Sequence, residues 1–367
     1  VEGTVLSPAR LLFITNENPP GNAKGRIDSY RQLVDTGELA AVEAVSHRPL
    51  GTATADQTFH MVLDRAQSKH YDVVVIGSPE RFPRTHAQFA RLDEAIGSRP
   101  LLYWEGDPWG KGKPLTQQIK WWFARADIVF ATGGPSQAHL YMSAGAKYVC
   151  HMANTYCHLE FAEAEAQVPS PTTDAGVVVI GSNLARIPYL TGLPGSVGRR
   201  ELARRLRHDR SLKFNLFGAG WPKGWSAGRI AFDRQTDEIR HGRVSANWDH
   251  YPRIDDYSSD RLPISLIAGR PHVTTRHPGG AWLPGEDTGL FQESSPKLVH
   301  DRVRNLLDMD PAVTYKMGVS AHAWARHRVS HREGARYILS QVLNNVAPPP
   351  ADPWASLPGP WGPADKS

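Results

Sequence analysis

The sequence predicts an α/β protein built from two Rossmann-like, doubly wound domains. Three observations predict it. Short, continuous apolar runs alternate with helical stretches along most of the chain, as parallel strands covered on both faces by helices require. Gln167 to Gly176, rich in turn formers and poor in apolar residues, separates two such series. The 367 residues, 40% of them apolar, suffice for two hydrophobic cores.

In the first series Leu11-Leu12-Phe13-Ile14-Thr15 is a buried strand that opens into the turn chemistry of Asn16 to Gly21. A helix from about Arg26 to Thr36 and a strand near Ala41 to Val45 follow. Then come a helix around Gln57 to Ser68, the run Val73 to Ile76 closed by Gly77, a helix from about Thr85 to Ile96, and the strand Pro100 to Trp104. A helix carrying Trp121 and Trp122 leads to Ile128 to Ala131. The two indoles occupy adjacent helical positions and point in different directions, so one is a candidate partner surface. Ser136 is a candidate N-cap for a helix over 137–143, and a strand over 147–150 completes the series. The second series runs through Val177 to Ile180, a basic helix from about Gly198 to His208, the strand Lys213 to Phe217, and the loop Gly218-Ala219-Gly220-Trp221. After it, Arg229 to Phe232, Thr236 to His241 and Arg243 to Asn247 read as strand, helix and strand. These patterns divide the chain into a first domain over 1–166, a linker over 167–176, a second domain over 177–330, a closing helix within 331–346 and a tail over 347–367. Seven prolines among the last 21 residues exclude a regular element there, while Trp354 and Trp361 are able to anchor the tail to a surface.

The 42 basic and 37 acidic residues leave a small positive surplus that is scattered, which suits an anionic small ligand better than a nucleic-acid face. Two cysteines, Cys150 and Cys157, give no disulfide framework, and with the histidines that follow each of them they match no standard zinc spacing. With no basic and apolar leader and no run long enough for a membrane helix, the expectation is a reduced, cytoplasmic protein.

Three stretches carry a resemblance. They are Val177-Val178-Val179-Ile180-Gly181-Ser182, then Phe217-Gly218-Ala219-Gly220-Trp221, then the segment from Ser258-Ser259-Asp260-Arg261 through Ala268-Gly269-Arg270-Pro271 to Thr274. Together they resemble the donor half of retaining GT-B glycosyltransferases, most closely the spore-maturation-type (CgeB-like) branch of the group-1 glycosyltransferases. The resemblance spans about Val177 to Leu339; the first half matches only in element order and in the turn Tyr141 to Ala146. It implies two domains facing across a cleft, a nucleotide-diphosphate sugar as co-substrate held by the second half, an acceptor held by the first, retention of configuration, and no cofactor or metal. One departure stands out. Where many relatives carry a glutamate for the nucleotide ribose, this chain has Ile264, so Asp260 is the candidate substitute, or the donor differs, or the step is lost.

Negative charge develops on the departing phosphate, and without metal it must meet amides at a helix start and guanidinium groups. Ser258, Ser259, Asp260 and Arg261 open a helix and are the phosphate candidates, although the same residues also make an ordinary cap. Gly181 and Ser182 follow a buried strand and permit close approach of a ligand, with Arg186 five residues on. Gly218, Gly220 and Trp221 either border the donor or fill core, and Arg234 falls where the resemblance places the nucleotide base. In the first half, Glu105 and Asp107 lie just past a strand, at the edge where open sheets hold ligands, as candidates for positioning an acceptor hydroxyl or acting as base. His151 follows another strand and is a candidate sugar contact or a structural ring. Asn18, Gly21, Lys24 and Arg26, after the first strand, form the candidate acceptor loop. The leading expectation is sugar transfer to a small hydroxyl or amino acceptor. Glycosylation of modified DNA bases, a different enzyme on this fold such as an epimerase, and a catalytically degenerate ligand-binding protein are the alternatives.

Overall fold

The structure, a computed structural model, describes residues 7–16, 24–68, 70–110, 113–172, 174, 176–184, 193–350 and 352–362. In chain order the elements of the first sheet are β1 (Ala9–Thr15), α1 (Lys24–Asp35), β2 (Leu39–Ser46), α2 (Ala55–Gln67), β3 (Val73–Gly77), α3 (His86–Ile96), β4 (Leu101–Glu105), α4 (Gln117–Arg125), β5 (Ile128–Ala131), α5 (Pro135–Ser143) and β6 (Val149–His151). The second series comprises α6 (Ala162–Ala166), β7 (Gly176–Ile180), α7 (Ser196–His208), β8 (Lys213–Phe217), α8 (Gln235–Arg240), β9 (Val244–Ala246), α9 (Arg261–Ile267), β10 (His272–Thr275), β11 (Leu290–Glu293), α10 (Pro296–Asp308) and α11 (Pro311–Ala325). A last helix, α12 (His331–Ser340), follows.

Every named strand pair is parallel. The first sheet has the order β2-β1-β3-β4-β5-β6 and the second β11-β10-β9-β7-β8. Strand order reverses between β1 and β3 in one sheet and between β7 and β9 in the other, which creates the crevice that open α/β sheets use for ligands. The apolar runs behave as their lack of alternation demands: every residue of β3 and β4 is buried. Helices start where side-chain caps are available. Thr54, Thr85 and Thr116 each accept a hydrogen bond from the amide three residues on, at the starts of α2, α3 and α4. Ser136 does not cap α5; Gly134 holds that place because Pro135, with no amide hydrogen to satisfy, begins the helix.

The chain divides into one unit of Val1–Gly110, Pro114–Met152 and His331–Ser367 and a second of Lys111–Lys113 and Ala153–Ser330. This division differs from the boundaries read in the sequence at both ends. The segment after 152 already belongs to the second unit, where Phe161 and Ala164 join its core and the Ala164 carbonyl accepts from His322 and Arg240. The closing helix and the tail belong to the first. Arg336 of α12 pairs with Glu38 at 2.8 Å, and Asn345 donates to the Glu38 carbonyl. The tail anchors through both tryptophans: Trp354 is buried against Tyr337, and Trp361 exchanges two main-chain hydrogen bonds of 2.8 Å with Val149, covering the outer edge of β6.

Two sequence expectations are corrected. Arg229 to Phe232 is not a strand. Gly224 and Gly228 adopt φ of 75° and 105°, and it is the residues just before this segment that meet β8 and its turn, through Ala227 N to Leu216 O and Gly218 N to Gly228 O. Trp121 and Trp122 both pack: Trp122 is fully buried and donates to the Phe82 carbonyl at 2.7 Å, while Trp121 lies against His86 and Phe89. Among the described residues no helix is long and apolar enough to cross a membrane.

Each unit holds a buried neutral imidazole. Burial pushes His47 of the first unit and His272 of the second down to about 4. The unfolded chain therefore takes up protons that the folded chain refuses, and stability falls as pH drops from about 6.5 towards 4, by roughly 3 kcal/mol per ring. Urea midpoints measured from about pH 7 down to about pH 5 should decline for both units, and His47→Gln should flatten the profile of the first; equal midpoints across that range would refute this account.

Candidate functional site

The second sheet forks where β7 and β9 part, and the polar residues of the second unit gather at that carboxyl edge. Arg199, on the inward face of α7, is 1% exposed and ties the fork together. Its Nε donates to the Trp248 carbonyl at 2.7 Å, beyond β9, and its Nη1 donates to the Ser182 carbonyl at 3.2 Å, beyond β7, and to His250 Nε2. Among the described residues its buried Nη2 finds no hydrogen-bond partner. Gly181 lies between this guanidinium and that of Arg261: a Cβ there would stand 3.3 Å from Arg199 Nη1 and 3.4 Å from Arg261 Nε. Arg261 Nε in turn donates to the Ile180 carbonyl at 3.1 Å. Two cations thus converge on the last residues of β7, and burial together with the neighbouring Arg261 lowers the proton affinity of Arg199.

The glycine-rich turns extend the β7–β8 pairing past the sheet. Asn183 N donates to the Ala219 carbonyl at 2.8 Å, Ala219 N to Ser182 Oγ at 3.3 Å, and the Trp221 indole to the Gly181 carbonyl at 2.8 Å. Gly218 and Gly220 have φ of 129° and 77°, and a side chain on either would overlap the backbone of Gly181 or Asn183. Gly181, Ser182, Gly218, Gly220 and Trp221 are therefore brought together in one rigid double turn.

Beyond β9, Asp249 is buried and paired with His277 at 3.0 Å, and it accepts from Asn247 Nδ2 at 2.6 Å. Burial alone would raise its carboxyl, but the hydrogen bond with His277 and the positive charge of Arg199 hold it well below the carboxylate range. Burial, Arg199 and Arg261 keep His250 neutral at neutral pH. None of Arg199, Asp249, His250 and His277 was singled out from sequence. The one available signal was helical spacing: Ser196, Arg199, Leu202, Ala203 and Leu206 share the buried face of α7.

Ser258 and Ser259 are buried at the approach to α9, where Asn154 donates to the Ser258 carbonyl at 2.6 Å. Asp260 is exposed and 3.5 Å from Arg261. Ile264 is buried in the core of the unit. Arg234 is exposed and paired with Asp237 at 2.9 Å. Asn18, Gly21, Arg186 and the Lys24 side chain lie outside the described residues.

In the first unit the structure gathers another set at the ends of β3 and β4. Glu105 is 2% exposed and accepts from Tyr103 OH at 2.8 Å, from Ser78 Oγ at 3.2 Å and from the Asp107 amide at 3.2 Å. Asp107 is exposed. The Arg26 guanidinium lies over the Trp104 ring at 3.7 Å, beside this turn. His151 is fully buried at the end of β6. Glu105 therefore positions the turn, and Asp107 is its solvent-facing carboxylate. Among the described residues no group of three or more His, Cys, Asp or Glu side chains is placed to hold a metal ion.

No family model and no curated protein sequence matches this chain. Solved structures do. HepE of Anabaena in complex with UDP and glucose is similar at a TM-score of 0.56 and 15% identity, covering 91% of this chain and 99% of that one. A T4 phage BGT mutant in complex with UDP-glucose is similar at 0.53 and 12%, covering 92% and 99%. Sucrose-phosphate synthase from Thermosynechococcus elongatus is similar at 0.57 and 11%, covering 91% and 99%. The fold is thus of the GT-B type, with two Rossmann-like α/β domains.

Removing a buried carboxylate strands the donors that face it, here His277 and Asn247. Asp249→Ala is expected to destabilise the second unit by about 3–5 kcal/mol, and Asp249→Asn by less because the amide still accepts a hydrogen bond. Denaturant titrations of the two variants check this, and an unchanged midpoint in Asp249→Ala would mean the pair contributes nothing.

Proposed function

We propose that this protein is a nucleotide-sugar-dependent glycosyltransferase of the spore-maturation type, metal-independent and retaining, that moves a sugar from a nucleoside diphosphate to a hydroxyl or amino acceptor. The observation that carries the proposal is the convergence of Arg199 and Arg261 on Gly181 at the fork of the second sheet, with a buried guanidinium nitrogen of Arg199 that has no hydrogen-bond partner among the described residues. A buried donor left unsatisfied calls for an acceptor, and a phosphate oxygen supplies one together with the opposite charge. The fold neighbours support the reading, since HepE and BGT are each seen in complex with UDP-glucose.

In the reaction proposed, the bond between the anomeric carbon and the β-phosphate oxygen breaks, and its electron pair stays on the diphosphate. The two guanidinium groups stabilise that developing charge, a role for which they are already oriented by the Ile180, Ser182 and Trp248 carbonyls. The acceptor heteroatom bonds to the anomeric carbon and its proton passes to the Asp107 carboxylate. Asp107 is assigned the acceptor hydroxyl and Glu105 the positioning of Asp107, with Arg26 on the acceptor side, while the fully buried His151 keeps the structural role. Asp260 is assigned the ribose diol in place of the carboxylate that Ile264 does not supply. The buried Ile264 also favours a second reading, a GT-B protein that binds its ligand without turnover.

Thermal unfolding in the presence of uridine, guanosine and adenosine diphosphates and their sugar conjugates tests the proposal. One base should stabilise the protein, by about 2.7 kcal/mol at a hundred times the dissociation constant, with the shift retained in EDTA and lost in Arg261→Ala. Failure of every nucleotide would refute the donor site. Binding without turnover against any acceptor would establish the second reading. In an active preparation, Asp107→Asn should lower kcat by about a hundredfold or more with donor binding unchanged, and the anomeric configuration of the product, read by NMR, decides retention.

A further inference from the structure

The first unit contains a cavity of about 650 Å³ that the Glu105–Asp107 turn does not fill. It opens beside the carboxyl ends of β2 and β3, at His47 and Ser78, and its size is that of a small-molecule site. Arg48, Arg81 and Arg84 line it, and Glu80 is its one carboxylate, so its walls carry a formal surplus of three minus one positive charges. The three guanidinium groups make no ion pair or hydrogen bond among the described residues. Residues of the first turn of α2 and of the capped starts of α3 and α4 also line the cavity, which adds the positive ends of three helices of 13, 11 and 9 residues.

Ser78 joins this cavity to the candidate acceptor turn. It has a φ of 45°, unusual for a residue with a side chain, and its hydroxyl donates to Glu105, which accepts from the Asp107 amide. The loop carrying Glu80 and Arg81 is fixed from the other side by Thr116, whose hydroxyl donates to the Glu80 carbonyl at 2.8 Å.

We propose that this cavity is a recognition site for an anionic acceptor, a compact hydroxylated molecule bearing a phosphate or carboxylate group that Arg48, Arg81 and Arg84 hold. The guanidinium fork matches either anion with paired hydrogen bonds, and an enclosed volume of this size suits a small molecule better than a duplex, which needs an extended basic face. The assignment as acceptor rests on the glycosyltransferase reading; the binding of an anion does not.

Calorimetric titration of the purified full chain with glycerol 3-phosphate, glycerate and neutral glycerol separates the sources of the charge. Saturable 1:1 binding of the phosphate or the carboxylate, absence of binding by glycerol, and a loss of about tenfold in affinity in each of Arg81→Ala and Arg84→Ala are expected. Thermal midpoints of the variants should match the parent, because both side chains are exposed. No binding of either anion, or equal binding by the Arg48→Ala/Arg81→Ala/Arg84→Ala variant, would overturn the proposal. So would tight, salt-dependent binding of a short DNA duplex that needs these arginines while both small anions fail. UDP-glucose titrated into the same preparations keeps the two readings apart. Anion binding without donor binding would leave this site standing and remove the acceptor role, and donor binding without anion binding would overturn this site and leave the glycosyltransferase reading standing.

Discussion

Burying a guanidinium at the fork of the second sheet is the constraint around which that unit is arranged. A cation removed from water must be given oxygen or nitrogen acceptors, and Arg199 takes them from main-chain groups beyond two different strands and from a neutral imidazole. The glycines of the β7 and β8 turns follow from the same need, since side chains there would push apart the backbones that supply those acceptors. The Asp249–His277 pair sits one layer behind, close enough that its negative charge favours the cation. The geometry that keeps this charge tolerable also presents it, with Arg261, at the edge of the sheet where ligands approach.

The first unit solves a different problem. Its carboxylate, Glu105, is nearly as buried, and it accepts from a phenol, a hydroxyl and an amide. That arrangement holds the turn after β4 in a single conformation while leaving Asp107 in solvent. Cationic groups in this unit are kept at the surface, over an indole in the case of Arg26 and around a cavity in the case of Arg48, Arg81 and Arg84.

Much of the fold was legible because parallel strands buried on both faces need uninterrupted apolar residues, and Val73 to Ile76 and Val177 to Ile180 have no other good use. The stretch Arg229 to Phe232 misled because the short apolar run Ile230-Ala231-Phe232 resembles a strand, whereas Ala227 and Gly228 before it make the hydrogen bonds to Leu216 and Gly218 and the segment itself joins no sheet. At the site, the turn residues Gly181, Ser182, Gly218, Gly220 and Trp221 were legible from their place after strands. Arg199 was hidden among the other arginines of α7, since charge alone does not say which one faces inward. The arginines of the first-unit cavity come from separate loops, and no spacing in the sequence joins Arg48 to Arg81 and Arg84.

The second unit is drawn almost entirely from one continuous stretch, whereas the first is completed only by α12 and the tail that returns to it. On the ribosome this fixes an order. Residues 153–330 are all available for folding before the strand edge at β6 can be covered by Trp361 or α1 can receive α12. Until then the nascent first sheet carries an unpaired strand edge, the kind of surface that chaperones hold and that aggregates when they do not.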